Sequence, residues 1–112
     1  MDRGPDTIRL YKLMMKLTKQ AKDAGGAVFS LLGNHEIMNM MEDLRYVDPG
    51  DTKSFGGEEK RKEAWSKNGW LGKYLRSLNI TVQVDETVFV HGGIHPDWAK
   101  FGVQVCFLVL YP

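Results

Sequence analysis

Apolar residues recur at steps of three and four from Pro5 to about Ala24, through Ile8, Leu10, Tyr11, Met14, Leu17 and Ala21, with Lys and Arg between them. That spacing predicts an amphipathic helix, ended by Gly25-Gly26. AVFSLL, residues 27–32, is a short apolar run after the glycine stop and reads as a buried strand. Helix, glycine stop and strand make half of a βαβ unit, so a further strand is expected on the N-terminal side of residue 5. Residues 37–44 suit two helical turns, and 45–57 read as a loop from their Pro, Gly, Asp and Ser content. Helical spacing resumes over 58–79 through Trp65, Leu71, Leu75 and Leu78, as two helices broken near Asn68-Gly69. ITVQV and TVFVH are β-branched runs parted by Asp85-Glu86, the pattern of a hairpin. The final run, 103–112, reads as one more strand.

Composition narrows the possibilities. A chain of 112 residues makes one domain at most, and 43% hydrophobic with 26% charged residues is ordinary globular usage. Fifteen basic and 14 acidic residues leave a formal charge of +1, so no bulk field recruits nucleic acid or an anionic membrane. Phosphate binding therefore needs a local site. Cys106 is the only cysteine, which excludes an internal disulfide and a Cys-based zinc site. The apolar run Val105 to Tyr111 is too short to span a bilayer, and no secretory signal opens the chain, so a cytoplasmic location is the default expectation.

Two predicted strand ends carry polar groups. Gly33-Asn34-His35-Glu36 stands where the strand 27–32 stops, the place where α/β proteins meet their ligands. Gly33 permits a sharp turn, the Asn34 amide oxygen suits a metal, His35 suits proton transfer, and Glu36 suits orienting its neighbours. A plain turn with a helix start accounts for Gly-Asn alone, but four such residues in this order favour chemistry. His91 ends the second hairpin strand, and Gly92-Gly93 after it lets backbone or ligand come close. His95, before Pro96, reads as a loop or cap residue. The charge run Glu58 to Glu63 reads as a solvated helix face. Met14, Met15, Met38, Met40 and Met41 read as core filling, and Trp65, Trp70 and Trp98 as packing residues.

DRGPD at residues 2–6, LLGNHE at 31–36 and VFVHGGIHPDW at 88–98 together resemble the calcineurin-like metallophosphoesterases, in the phosphoprotein phosphatase branch. NHEIMNMMEDLRYVD is most similar to the Shewanella-like protein phosphatases. The resemblance spans roughly residues 2–103 and implies a metal-dependent phosphatase. Its fold is a mixed α/β, four-layer α/β-β/α sandwich, and its chemistry is phosphomonoester hydrolysis with two divalent ions (Mn, Fe or Zn). Carried over residue by residue, the resemblance gives Asn34 and His91 as ligands to one metal and His35 as the proton donor to the leaving oxygen. It gives Asp2 as the carboxylate that orients His35, and Arg3 as a bidentate phosphate clamp. The implied partners are a phosphorylated protein or small phosphoester, with neither nucleic acid nor membrane.

The departures are equally specific. A Gly-Asp-x-His-Gly motif, a Gly-Asp three residues before Asp2 and a later histidine belong to the pattern and do not occur in this sequence. The expectation is a partial phosphoesterase domain over 1–103, lacking N-terminal strands and a C-terminal part, with 104–112 an atypical hydrophobic tail. A neutral amide and a neutral imidazole offset little of the lost hydration of two divalent ions, so both are not expected to be retained and the chain is expected to be catalytically incomplete. Two alternatives accompany this reading: a non-catalytic phosphate-binding or regulatory fragment, and a diadenosine polyphosphate hydrolase, whose GNH and HxG pattern is similar.

Overall fold

A computed structural model describes residues 1–102. The architecture is mixed α/β. In chain order the described elements are α1 (Thr7–Asp23), α2 (Asn34–Met40), α3 (Pro49–Ser54), α4 (Glu58–Trp65), α5 (Trp70–Arg76), β1 (Thr81–Val84), β2 (Thr87–Val90) and α6 (Pro96–Ala99). None of the described helices is long and apolar enough to cross a membrane. The strand expected over 103–112 lies outside the described residues.

The first helix and the hairpin match the sequence reading. α1 runs to Asp23, and the turn after it closes when the Gly26 amide donates to the Ala21 carbonyl at 2.8 Å, with Gly25 at a positive φ of 78°. β1 and β2 are antiparallel, with Thr81 opposite Val90 and Val84 opposite Thr87. α4 and α5 break at the expected Asn68-Gly69, and Gly69 caps α5.

Other expectations are corrected. Residues 27–32 form no strand: only an isolated parallel bridge joins Leu31 to Asn79, with the Leu32 amide 2.9 Å from the Asn79 carbonyl. A strand needs a ladder, and one bridge is all that the described residues supply. Leu32 is buried, whereas Phe29 is 58% exposed. The helix expected from residue 37 begins at Asn34, because Gly33 takes the extended cap conformation and Glu36 returns to its amide. Within the expected loop 45–57, Asp48 accepts from the Gly50 amide at 2.6 Å and Pro49 fixes the first turn, so α3 forms.

The core gathers Tyr11, Leu32, Phe55, Ala64, Trp65, Leu71 and Leu75, with Ile8, Met40, Tyr74, Leu78 and Ile80 against it. Tyr11 meets Trp65 edge to face at 6.3 Å, an arrangement that ring quadrupoles favour. Met41, Trp70 and Trp98 are exposed and do not fill this core. On α1 the burial is narrower than the sequence stripe. Leu10 and Leu17 share an i, i+3, i+7 row with Leu13, rotated away from Tyr11, and all three are exposed. The run Glu58 to Glu63 is not wholly solvated either, since Arg61 precedes Ala64 and Trp65 by one helical turn and is carried into the core with them.

Candidate active site and its structural relatives

Gly33 is the origin of the site. Its amide donates to Glu36 Oε2 at 3.0 Å, which turns the chain sharply into α2 and puts Asn34 and His35 in the first turn. Glu36 Oε1 accepts from the Tyr11 hydroxyl at 2.8 Å and from the Met1 amino group at 3.1 Å, tying this turn to α1. Burial opposes ionisation of Glu36, but the Tyr11 hydrogen bond and the nearby positive amino group outweigh it, and the carboxyl sits below its usual range.

The segment before α1 is fixed by backbone contacts. Thr7 Oγ1 donates to the Met1 carbonyl at 2.7 Å, and the Asp48 amide donates to the Asp2 carbonyl at 2.9 Å. These contacts hold Asp2, 2% exposed, beneath His35, with Oδ1 2.8 Å from Nδ1. On the other side of the imidazole, Arg3 Nη2 lies 3.0 Å from Nε2. Asp2, Arg3 and His35 border one shallow cavity of about 370 Å³ together with Met1, Gly4, Asp6 and Leu10. A larger cavity of about 700 Å³ lies between α2, α3 and α4, away from His35.

His91 comes to the same turn from the end of β2. Its Nε2 is 3.0 Å from Asn34 Oδ1, so two groups separated by 57 positions in sequence converge on one point. All five residues singled out from the sequence thus stand around the N-terminus of α2. His95 instead caps α6, with Nδ1 3.2 Å from the Asp97 amide.

Four neighbours of the site escaped the sequence reading. Asn39 is buried and donates to Asp2 Oδ2 at 2.6 Å and to the His35 carbonyl at 2.8 Å. Its own Oδ1 accepts from Arg61 Nη2 at 2.5 Å, and Arg61 Nε donates to Asp51 Oδ2 at 2.8 Å. Tyr46, 52% exposed, presents its ring 5.6 Å from the His35 ring and 5.6 Å from the Arg3 guanidinium carbon. Asn39 had a visible signal: it follows His35 by four positions on the same helical face. Asp51 and Tyr46 had none, and for Arg61 the sequence signals only burial, through Ala64 and Trp65 one turn later, because the tertiary fold alone brings these three near.

No protein-family profile matches the chain. An uncharacterised protein of Schizosaccharomyces pombe is 45% identical over 104 residues, which cover 88% of this chain and 31% of that protein. Shewanella-like protein phosphatase 1 of Plasmodium berghei is 30% identical over 106 residues, 92% of this chain and 29% of the relative. The crystal structure of the cold-active protein-tyrosine phosphatase of a psychrophilic Shewanella species superposes with a TM-score of 0.76 at 31% identity, over 94% of this chain and 32% of that one. The chain is related to the calcineurin-like metallophosphoesterases. It spans about a third of the length of the relatives it matches.

For a calcineurin-like metallophosphoesterase, dependence on divalent metal ions is implied. Among the described residues the donors do not make a two-ion centre. Asn34 and His91 offer one neutral oxygen and one neutral nitrogen, and among the described residues no three His, Cys, Asp or Glu side chains group closely enough to hold an ion. They fit one edge of a single cation site.

Proposed function

We propose that the residues around the N-terminus of α2 are the substrate-binding and proton-donating part of a phosphomonoesterase centre. The observation that carries this reading is the row Arg3, His35, Asp2, in which Arg3 Nη2 is 3.0 Å from His35 Nε2 and His35 Nδ1 is 2.8 Å from Asp2 Oδ1. Arg3 supplies a planar fork for two phosphoryl oxygens, a geometry that a lysine does not reproduce. Asp2, acceptor only when ionised, holds His35 by Nδ1 and leaves Nε2 facing the cavity. With Arg3 drawn from Nε2 onto the phosphoryl oxygens, Nε2 takes up a proton and donates it to the leaving oxygen as the ester bond breaks, and the buried Asp2 carboxylate stabilises the charged ring. Asn34 and His91 serve as ligands on one edge of a metal site.

Phosphoproteins and small phosphoesters are the substrate class. The Tyr46 ring beside both Arg3 and His35 supports an aromatic leaving group, since a flat ring stacks on it while its ester oxygen meets His35. For this chain on its own, the two neutral metal donors favour phosphate binding over turnover.

The test is a titration of the chain with phenyl phosphate, followed by NMR of the Arg3 and His35 side chains. Both sets of signals shift together in the wild type, and Arg3→Lys weakens binding by roughly tenfold, the worth of a charge-assisted hydrogen bond. Unmoved Arg3 and His35 signals at saturating phenyl phosphate would overturn the reading.

A further inference from the structure

We propose that Arg61 is a positioning residue for His35, acting through Asn39 and Asp2. The inference rests on the reading of His35 as the proton donor and extends it to a side chain on a different helix that touches neither substrate nor His35.

The direction of each hydrogen bond in the row is fixed by chemistry. A guanidinium only donates, so Arg61 Nη2, 2.5 Å from Asn39 Oδ1, settles which end of the Asn39 amide faces it. The Asn39 NH2 must then face Asp2, where it donates to Oδ2 at 2.6 Å. A carboxylate only accepts, so Asp2 Oδ1, 2.8 Å from His35 Nδ1, requires the ring proton on Nδ1. At the other end Arg3 Nη2 also only donates, and the Nε2 it meets at 3.0 Å is therefore the lone-pair nitrogen of the neutral ring. Two arginines bracket the row: Arg3 and Asp2 each favour the same tautomer, and Arg61 holds the Asn39 amide that keeps Asp2 in place.

Arg61 is well held for this task. It is 3% exposed, with its guanidinium carbon 5.0 Å from the Trp65 ring centroid and 5.8 Å from that of Phe55, and its Nε anchored on Asp51 at 2.8 Å. Without the Arg61 donor, the buried Asn39 oxygen has no partner, and the amide keeps only its NH2 contacts to Asp2 Oδ2 and the His35 carbonyl. The clamp that sets the Asn39 amide against Asp2 is loosened, and with it the rotation of the carboxylate beneath His35.

Imidazole nitrogen NMR on the whole chain tests the positioning role, with His91 and His95 as internal references. Arg61→Lys keeps a positive charge for Asp51 but replaces the fork that meets Asp51 and Asn39 at once with a single nitrogen. The neutral His35 ring of the wild type is expected to be mainly in the Nδ1–H form. In Arg61→Lys the ratio of Nδ1–H to Nε2–H falls roughly fivefold, as loss of one net hydrogen bond implies, with the Thr81–Val90 hairpin signals unchanged. Asn39→Leu cuts the row one link nearer while leaving the Asp51–Arg61 pair in place, gives the same fall, and decides the matter if Arg61→Lys does not fold. A lowered melting temperature with an unchanged His35 ratio makes Arg61 merely structural and overturns the proposal. Failure of the wild type to bind phenyl phosphate counts instead against the proposed function, because the tautomer is read without ligand.

Discussion

Gly33 and His91 approach so closely that a Cβ on Gly33 would stand 3.1 Å from both Nε2 and Cε1 of the imidazole. The same atom would lie 2.8 Å from Glu36 Oε2. Gly33 has a φ of −103°, which any L residue adopts, so the requirement for glycine is room and not backbone conformation. A methyl group at Gly33 would therefore press on the His91 ring where it meets Asn34.

Gly33→Ala is expected to part His91 from Asn34 and to cost about 1–3 kcal/mol, the usual cost of overpacking. NMR of the His91 ring reports the first effect and urea denaturation the second. Gly92→Ala is the control: a Cβ at Gly92 meets nothing within 4 Å, so stability should hold within about 0.5 kcal/mol.

The junction of α4 and α5 has a stricter glycine. A Cβ on Gly72 would fall 1.9 Å from the Ser66 carbonyl oxygen and 2.5 Å from that of Trp65, and neither backbone atom can rotate aside. Gly72→Ala should lower stability by about 3 kcal/mol through separation of the two helices. A urea midpoint equal to that of the wild type would refute this.

Arg61→Met tests the buried ion pair as a structural element. Asp51 is fully buried, its Oδ2 is held by Arg61, and its Oδ1 has no hydrogen-bond partner among the described residues. Removing the guanidinium strands a buried carboxylate, with an expected loss of about 3–5 kcal/mol. The double variant Arg61→Met/Asp51→Leu should recover part of that loss by removing the stranded charge, which equilibrium unfolding of both variants checks.

Tyr11 and Glu36 set a pH dependence with opposite ends. Glu36 is depressed below 4.5, so its contribution is full above that value and drains as pH falls through the lower, folded one. Burial, then the neighbouring Glu36 charge, raises Tyr11 above 10.0, so its contribution is full below pH 10.0 and is lost as pH climbs from there toward the folded value. Tyr11→Phe removes the 2.8 Å hydrogen bond and should cost about 1.5–3 kcal/mol at neutral pH. The gap between variant and wild type should narrow below pH 4 and above pH 10 in urea unfolding curves, and a constant gap would show that the pair does not couple.

The legible parts of this molecule were local. Periodicity gave α1 and the hairpin, and glycine placement gave the break before α5, because helix spacing and turn chemistry act over a few residues. Residues 27–32 misled because a short apolar run suits a buried strand but does not specify the neighbour that makes it one. Within the site, Asp2, Arg3, Asn34, His35 and His91 were visible as motifs, while Arg61 was hidden inside a charge run that composition assigns to solvent. Its burial follows from Ala64 and Trp65 one turn later, a pattern in the sequence that a charge count overlooks.

The metal donors yield the last prediction. Asn34 Oδ1 and His91 Nε2 stand 3.0 Å apart and neither side chain carries a negative charge, whereas two divalent ions bring four positive charges and give up a tightly bound hydration shell. Carboxylates that bridge or terminate such a centre neutralise that charge, and none joins these two donors in a group among the described residues. The chain on its own should therefore purify without two stoichiometric ions, and EDTA should leave its melting temperature unchanged. Aryl phosphate should show no manganese-dependent turnover, even where the proposed binding at Arg3 is observed. Elemental analysis and a release assay decide this together: two ions per chain, or turnover that rises with manganese, would mean that the donors near α2 are not the whole ligand set.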